Sequence, residues 1–557
     1  MVKNLIYRKR FLYFVFVMTS LIMVGCNKNT TLAEDPYAGG KELLDITFKT
    51  KTTDPEIVPV GSILNLEVSG LMKYKDSFKV FVNEIESEVI TFTDSTLRFR
   101  VPTSASTGSV WITAEGQTFF GPIVKIGGKV SVDGTFKIVN GAGRLTAGGP
   151  TTVFDIEQLP NNRLWVVGAF DNFELKGTEA KPNGGIAQLD PDGGYITTDI
   201  NFGIGVDGGN KAIYSVNRIT SGTHNGKYII SGSFTAYNSK KANRKTINNI
   251  VMLTAKGELD SIVTTEITNP KPEVVWKNKD TIPTFNGGVD GVIRKSILFG
   301  EKIYVIGNFQ NYKRIYYPNS TYDEKVYDVT RMLQLVRLNL DGSMDSTFHY
   351  NPATRQSAAA ANGAISDAIV QSDGKLILVG NFTSFNGVMA NRIVRLNLDG
   401  SVDPSFLTGS GADGDIYSIR YNANTQKIVL SGTFNVFNGK SSSGVALLNS
   451  DGSNNSNFEG KKVSGGAVTF AAQLNNGKII VTGSFNKYED TLRQGFMILE
   501  SNGTLSAGYN NTGGFEGRVY NMIESAVSGG TKVILVGDIF RFNSMLPKNV
   551  LRIMIAN

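Results

Sequence analysis

One short phrase, an apolar strand ending in Gly-x-Phe or a close variant, recurs along the chain and constrains its fold more than any other feature. Clear copies are "LILVGNF" from residue 376 and "IYVIGNF" from residue 303. Units of roughly 50 residues with several short strands each are typical of a β-propeller, in which each unit forms one blade. We therefore predict seven blades over residues 129–557, with repeat glycines at Gly168, Gly232, Gly307, Gly380, Gly432, Gly483 and Gly537.

The unit at residues 365–406 shows the strand order expected within one blade. It contains strand A "ISDAIV", strand B "LILVGNF", strand C "RIVRLNL" and strand D "SVDPSF", with an Asp-Gly turn at residue 399 between C and D. The seventh unit stops after strand C, whereas "VSVDGTFKIV" at residues 130–139 is a D-like strand with no unit of its own. We predict that this segment closes the ring, because closure removes exposed strand edges.

The part of the chain before the propeller also indicates β-structure. Residues 43–127 contain short alternating runs such as "ILNLEVSG" and "KVFVNEI", which favour a small antiparallel sandwich. The chain has 61 glycines and no long apolar run of helical period. The predicted fold class is all-β, with a small immunoglobulin-like sandwich followed by a seven-bladed β-propeller.

The first 42 residues are typical of an export segment and a linker. Residues 1–25 have a basic start and an apolar run of about 15 residues, which fits a signal peptide and is too short to span a bilayer. Cys26 is the only cysteine, so no internal disulfide can form. Residues 26–42 are polar and turn-rich and indicate a flexible tether. Loss of the leader would lower the net charge from +7 to about +3, which does not favour nucleic acid as a partner.

Three segments resemble known families. The stretch "LIMVGC" resembles the lipobox of bacterial lipoproteins, which implies lipidation of Cys26 and a membrane anchor. Residues 43–127 resemble an IPT/TIG immunoglobulin-like domain through "PVGSILNLEVSG" and "LRFRVPTSASTGSVWITAEG". The units containing "VGNFTSFNG" and "RIVRLNLDGSVDPSF" resemble the delta-60 repeat propellers of bacterial surface proteins.

The combination of these parts resembles accessory surface lipoproteins that accompany SusC/SusD-type outer-membrane nutrient importers. The resemblance implies a non-enzymatic component, lipid-anchored in the outer membrane and facing the cell exterior. Its partners would be a SusC/SusD-like transporter complex and an oligosaccharide or a peptide. Two other functions stay open: a glycosidase-like hydrolase and a purely structural protein–protein scaffold.

Sequence motifs for catalysis, metals and cofactors are absent. There is no His-Glu-x-x-His, no P-loop and no cysteine pair, and the only histidines are His224 and His349. "GIGVDG" at residue 203 fits a dinucleotide motif, but the strand-like "AIYSV" follows it where dinucleotide binding needs a helix. We predict neither a metal nor a cofactor.

A polar residue recurs in the A strands, which are innermost in a propeller. One interpretation is a hydrolase site built from channel carboxylates. The other, which we favour, is a hydrated channel in which Arg294 offsets one aspartate, because Asp155 and Asp367 would lie nearly opposite each other across the ring. The alignment gives Asp155, Ser215, Arg294, Asp367, Ser418, Thr469 and Asn521.

The long insertions all fall in B–C and D–A connections, which share one face of a propeller. They cover residues 171–184, 236–248, 264–290 and 310–331. Variable loops on a rigid scaffold often carry binding sites, and aromatic rings suit a sugar, a peptide or a protein. The rings could equally pack the loops on themselves. The predicted binding residues, in the loops of blades 2 and 3, are Trp276, Tyr312, Tyr316, Tyr317, Tyr322 and Tyr327.

Overall fold

The computed structural model describes residues 42–146, 149–239, 247–264, 280–321 and 323–557, and they confirm the all-β fold class. The first domain is a sandwich of two sheets around a core that includes Leu66, Val80, Phe99 and Ile112. Their strands pair antiparallel, except that Ile57–Val58 pairs parallel with Gln117–Ile126. One sheet has the order Thr47–Phe48, Ile63–Ser69, Thr96–Arg100 and Val89–Phe92. The other has the order Ile57–Val58, Gln117–Ile126, Gly108–Ala114, Lys79–Val82 and Ile85–Ser87.

Seven further sheets with the strand order A-B-C form the blades of a propeller. Strand A spans Thr152–Gln158, Ala212–Arg218, Val292–Phe299, Ile365–Val370, Ile416–Asn422, Val468–Gln473 and Phe515–Val527 in blades 1 to 7. Strand B spans Leu164–Ala169, Tyr228–Ser233, Lys302–Asn308, Leu376–Gly380, Lys427–Gly432, Ile479–Gly483 and Gly530–Phe542. Strand C spans Ile186–Leu189, Ile250–Leu253, Leu335–Asn339, Ile393–Leu396, Val445–Asn449, Phe496–Leu499 and Val550–Ala556.

The repeated glycine is required by the way strand A passes strand B. In every blade strand A has a β-bulge opposite this glycine, as between Ile365 and Asp367 in blade 4. A Cβ added at any of the seven glycines would lie 1.9–2.1 Å from a backbone carbonyl oxygen of strand A or of the residue directly before it. Since no side chain tolerates such a contact, only glycine fits. The phenylalanine of the phrase, such as Phe382, is buried.

The hydrophobic core lies between neighbouring blades. In strand B of blade 1, Trp165 and Val167 pack toward blade 2, whereas Leu164 and Val166 pack toward blade 7. This alternation is the two-residue period of a strand that is buried on both faces. Each B strand therefore joins two clusters, and the cores continue around the ring.

Strand D is much shorter than its sequence suggests. In blade 4 it adds a single bridge, Leu396 to Val402, and then Ser405 N–H donates to the Asp403 carboxylate at 2.9 Å. This local turn ends the pairing directly after the bridge. The Asp-Gly turn before it is present, with Gly400 at φ +84°, a conformation that glycine adopts freely.

The strand that closes the ring comes from upstream of blade 1. Val130–Val132 pairs with Val550–Ala556 in blade 7. Asp133, next to this strand, accepts from Arg552 Nε at 2.8 Å and lies 3.0 Å from Lys532 Nζ. Asp403 makes the same contacts with Arg395 and Lys375 inside blade 4. Asp133 therefore corresponds to this strand-D aspartate, and not to the aspartate of the Asp-Gly turn.

Small hairpins decorate the loop face. Their strand pairs are Ala142–Gly143 with Asn172–Phe173, Val206–Asp207 with Ala236–Tyr237, Ser261–Thr264 with Asp280–Pro283, Asn311–Ile315 with Tyr327–Arg331, Tyr350–Asn351 with Gln356–Ser357, Ser384–Phe385 with Val388–Met389, Val436–Phe437 with Lys440–Ser441, and Val463–Ser464 with Lys487–Tyr488, which also pairs with Thr491–Leu492. Among the described residues, short 3₁₀ turns are present at Met72–Tyr74 and Tyr317–Asn319. Across the described ranges, we find no helix with the length and apolar character needed to span a membrane.

Replacing Asp133 should weaken ring closure. The Asp133 and Arg552 side chains are 8% and 5% exposed, so Asp133→Asn leaves the buried Arg552 with only the exposed Asp192 as a counter-charge and removes the partner of Lys532. We expect the free energy of unfolding, measured by urea titration, to fall by about 3 kcal/mol. Asp192→Asn is the matched control, because Asp192 pairs with the same arginine but is 56% exposed. It should cost less than about 1 kcal/mol, and equal losses would contradict the assignment.

The ion pair between Asp133 and Arg552 should also make the stability of the protein depend on pH. Burial raises the pKa of Asp133, but hydrogen bonds from Thr135 and Lys532 and the charge of Arg552 outweigh it and hold the pKa well below its usual range. This contribution is therefore present above about pH 4 and is lost as pH falls further. Asp133→Asn should make the acid limb of the stability curve shallower than in the unmodified protein.

Candidate binding site in the central cavity

The seven A strands enclose a central cavity with a volume of about 560 Å³. All the residues of the predicted polar ring line it: Asp155, Ser215, Arg294, Asp367, Ser418, Thr469 and Asn521. Strand A begins after the D–A connection, so the first residues of each A strand lie at the end of the cavity that opens on the loop face. The cavity is thus continuous with the face that carries the insertions.

Two of the predicted ring residues are out of register. In blade 3 the bulge lies between Ile293 and Lys295, so Lys295, and not Arg294, is equivalent to Asp155. In blade 6 the equivalent residue is Phe470, because Thr469 occupies the bulge. The alignment was wrong there because it followed polar side chains, and in these two blades the residue at the bulge, Arg294 or Thr469, is polar and was taken for the ring residue that follows it.

The bulge residues form a second tier toward the loop face. They are Phe154, Tyr214, Arg294, Ser366, Tyr417, Thr469 and Tyr520, and all of them line the cavity. The Phe154 ring lies 4.4 Å from that of Tyr214 and 5.1 Å from that of Tyr520, measured between centroids. The guanidinium carbons of Arg294 and Arg518 lie 5.4 and 5.1 Å from the centroids of Tyr214 and Tyr520. We call this set, with Arg518, the aromatic mouth.

Asp367 is held by two cations. Lys295 Nζ lies 2.5 Å from Oδ1, and Arg420 donates to Oδ2 at 2.5 Å. Ile419 N–H in the next blade also donates to Oδ2, at 3.1 Å. Burial raises the pKa of Asp367, but these charges and hydrogen bonds outweigh it and hold the pKa well below its usual range. Lys295 and Arg420, and not Arg294, therefore offset this aspartate.

Asp155 joins three blades without a cationic partner in contact. Its carboxylate accepts from Val216 N–H in blade 2 at 2.9 Å and from Asn521 Nδ2 in blade 7 at 2.6 Å. Ser215 repeats the pattern, since it accepts from Ser296 N–H in blade 3. Burial raises the pKa of Asp155, and these hydrogen bonds only partly oppose it. The ring residues therefore connect the A strands of neighbouring blades.

Glu157 is a carboxyl group of the cavity whose pKa is raised into the neutral range. It lies two residues after Asp155 on the same strand and lines the deeper part of the cavity. Burial and the charge of Asp155 raise the pKa of Glu157 to about 7, against the opposing charge of Arg218. A carboxyl group in this range can donate or accept a proton at physiological pH.

The loop tyrosines are mostly used in packing, which contradicts their predicted role as an open binding surface. Tyr312 is 2% exposed, and its hydroxyl donates to the Gly342 carbonyl at 3.0 Å. Tyr317 is buried with Ile315, and Tyr327 packs partly buried against the same cluster. Tyr312 is part of the core between blades 2 and 3, whereas Tyr317 and Tyr327 are removed from water by packing within the loops. Of the described tyrosines in this set, only Tyr316, at 46%, is largely exposed.

Three predicted residues, Cys26, Trp276 and Tyr322, lie outside the described residues. Within the described ranges, no three His, Cys, Asp or Glu side chains are grouped so that they could hold a metal ion.

Sequence reasoning missed the aromatic mouth, although a signal was present. Each bulge residue directly precedes a ring residue and follows a buried aliphatic one, as in "VFD", "IYS" and "VYN". Four of the seven blades have an aromatic residue at this position, although the alternation of buried and exposed residues along a strand does not require one there. The missed residues are Phe154, Glu157, Tyr214, Lys295, Tyr417, Arg420, Arg518 and Tyr520.

The fold is a β-propeller with an open central cavity, preceded by a sandwich domain. Two protein-family models match parts of the chain. A family described as "Domain of unknown function (DUF5122) beta-propeller" matches residues 328–348, 371–406, 427–458 and 474–506. A second family, "Domain of unknown function (DUF5008)", matches residues 21–122, which include most of the sandwich. No curated protein matches the chain.

Solved structures with a similar arrangement are distant. The computationally designed Ika8 protein is 9% identical, with 74% of this chain and 99% of that chain covered and a TM-score of 0.37. The extracellular domain of a putative one-component system from B. thetaiotaomicron is 12% identical over 74% of this chain and 39% of that one, with a TM-score of 0.35. An auxiliary nutrient binding protein from Bacteroides ovatus is 12% identical over 69% and 95%, with a TM-score of 0.19.

The two channel aspartates should differ in their effect on stability. Asp367→Asn leaves Lys295 and Arg420 uncompensated, and we expect the free energy of unfolding to fall by about 3 kcal/mol. Asp155→Asn removes no ion pair in contact and keeps part of the hydrogen-bonding capacity, so its cost should be about 1 kcal/mol. Urea titration of both variants at pH 7 measures the difference. A larger loss for Asp155→Asn would contradict the structural roles assigned to these residues.

Proposed function

We propose that the chain is a non-catalytic binding protein whose ligand enters the central cavity through the aromatic mouth. The observation that carries the proposal is the tier of bulge residues, which places Phe154, Tyr214, Tyr417 and Tyr520 around one opening of a cavity of about 560 Å³. Aromatic faces beside a few polar groups are typical of sites for small ligands. The ligand is an oligosaccharide or a short peptide.

The alternative is a hydrolase that uses the channel carboxylates. Asp367 is fully engaged by cations, and Asp155 is engaged by the strands of neighbouring blades, which disfavours both as paired acids. Glu157 is the observation in favour of the alternative, because its pKa of about 7 suits a general acid. Loss of a hydrolytic activity in the double variant Asp155→Asn with Asp367→Asn, in a protein that remains folded, would support the hydrolase.

The cellular setting follows from the resemblances in the sequence. We propose a lipid anchor at Cys26 in the outer membrane, display toward the cell exterior and association with a SusC/SusD-like importer. In this setting the propeller captures a ligand and passes it to the transporter. A purely structural scaffold would need no open cavity, so the accessible mouth supports binding over scaffolding.

Binding at the mouth can be tested without knowing the ligand. A panel of neutral and acidic oligosaccharides and of short peptides is added to the full-length protein, and the unfolding temperature is recorded. We expect one ligand class to raise it and Phe154→Ala to remove the shift. Phe120→Ala is the control, because Phe120 is 71% exposed on the sandwich domain. No stabilising ligand, or a shift that survives Phe154→Ala, would contradict the proposed site.

Association with an importer is tested by purification in mild detergent. The tagged full-length protein should copurify from outer membranes with a large barrel transporter and its lid lipoprotein. Recovery of the protein alone, under conditions that preserve other outer-membrane complexes, would contradict stable association and would leave binding at the cavity unaffected.

A further inference from the structure

Two arginines at the aromatic mouth have charges that the protein does not neutralise by contact. Arg294 and Arg518 are both exposed, and among the described residues neither side chain has a hydrogen-bond or ion-pair partner. Their guanidinium groups instead lie against tyrosine rings. Three buried arginines of the blades differ, since Arg337, Arg395 and Arg552 each form an ion pair with an aspartate.

The two arginines are held in position by aromatic rings. The Arg294 guanidinium lies on Tyr214, and the Arg518 guanidinium lies near Tyr520 and Tyr417, at 5.1 and 5.8 Å from the ring centroids. A guanidinium held against an aromatic ring keeps N–H groups free to bind a carboxylate with two parallel hydrogen bonds. They therefore flank the row Tyr214, Phe154, Tyr520 as two fixed anion sites.

The acidic groups in and beside the cavity do not cancel these charges. Asp367 is neutralised by Lys295 and Arg420. Burial, as the largest effect, raises the pKa of Asp155, Glu157 and Asp538, so each holds its proton more strongly than an ordinary carboxyl group. The charge of Arg518 lowers the pKa of Asp538, but the two side chains form no ion pair. The mouth thus presents to an incoming ligand two guanidinium groups that pair with no carboxylate among the described residues.

From these contacts, and on the basis of the proposed function, we infer that the ligand is an acidic saccharide, a sugar chain with a carboxylate on its ring. The aromatic row between the arginines offers flat faces to the apolar C–H face of a sugar, while Arg294 and Arg518 bind its carboxylates. A neutral sugar would leave both guanidiniums without partners. An acidic peptide satisfies the arginines but lacks the rigid ring that the aromatic row fits.

The test uses two sugars that differ only in the carboxylate. Titration calorimetry on the full-length protein in mild detergent compares an α-1,4-linked galacturonic acid trimer with the matching neutral galactose trimer. We expect the acidic trimer to bind about tenfold tighter or more. Arg294→Gln and Arg518→Gln should each remove most of this preference, and Arg294→Lys should restore part of it. Arg98→Gln, an exposed arginine on the sandwich, is the control and should change nothing.

The outcomes separate the ligand class from the proposed site. Equal binding of both trimers that depends on Phe154 but not on the arginines would overturn the acidic class and leave the site standing. Binding of a glutamate-rich peptide and neither trimer would overturn the saccharide. If neither trimer binds but another ligand of the panel does, and Phe154→Ala abolishes that binding, only this inference is overturned. Failure of every ligand would overturn the proposed function as well. Unfolding temperatures of all variants show that each is folded.

Discussion

The close approach of strand A to the repeat glycine is the constraint on which the rest of the propeller depends. At each of seven places a backbone carbonyl occupies the space that a Cβ would need. The approach is compatible only with a bulge in the innermost strand, and the bulge turns two successive side chains, such as Ser366 and Asp367, to the cavity instead of one. The two tiers of the cavity wall, one polar and one partly aromatic, are therefore consequences of a single backbone contact repeated around the ring.

The two tiers have different physical roles. Residues of the deeper tier, such as Asp155 and Ser215, accept hydrogen bonds from the backbone of the next blade. Their acceptor atoms are therefore occupied in joining the blades. The bulge residues are outside the regular ladder, so their side chains are available. This division explains how one repeated unit can supply both a stable ring and a variable opening, since substitution in the outer tier leaves the hydrogen bonds that the deeper tier makes between blades intact.

The fold could be predicted from the sequence because its determinants are local and repeated. The glycine, the phenylalanine and the Asp-Gly turn each recur at fixed offsets, and strand A of blade 4 was predicted with the bounds it has. The site could be predicted only in part, because a bulge changes register without changing composition, which is why Arg294 and Thr469 were assigned to the wrong tier. The loop tyrosines show a different limit. Tyr312 is buried with its hydroxyl bonded to a carbonyl 30 residues away, and is therefore not open to a ligand. No local sequence pattern reveals such a partner.

The closing contact between Asp133 and Arg552 joins residues that are 419 positions apart. Local hairpins can form as soon as their two strands have been synthesised, but this contact must wait until nearly the whole propeller has left the ribosome. Until then blade 7 has no fourth strand, and the segment at Val130–Val132 has no sheet to join. The chain must therefore keep an unpaired strand and an open sheet edge apart from other molecules throughout its synthesis, so the dependence on chaperones should be greatest just before the ring closes.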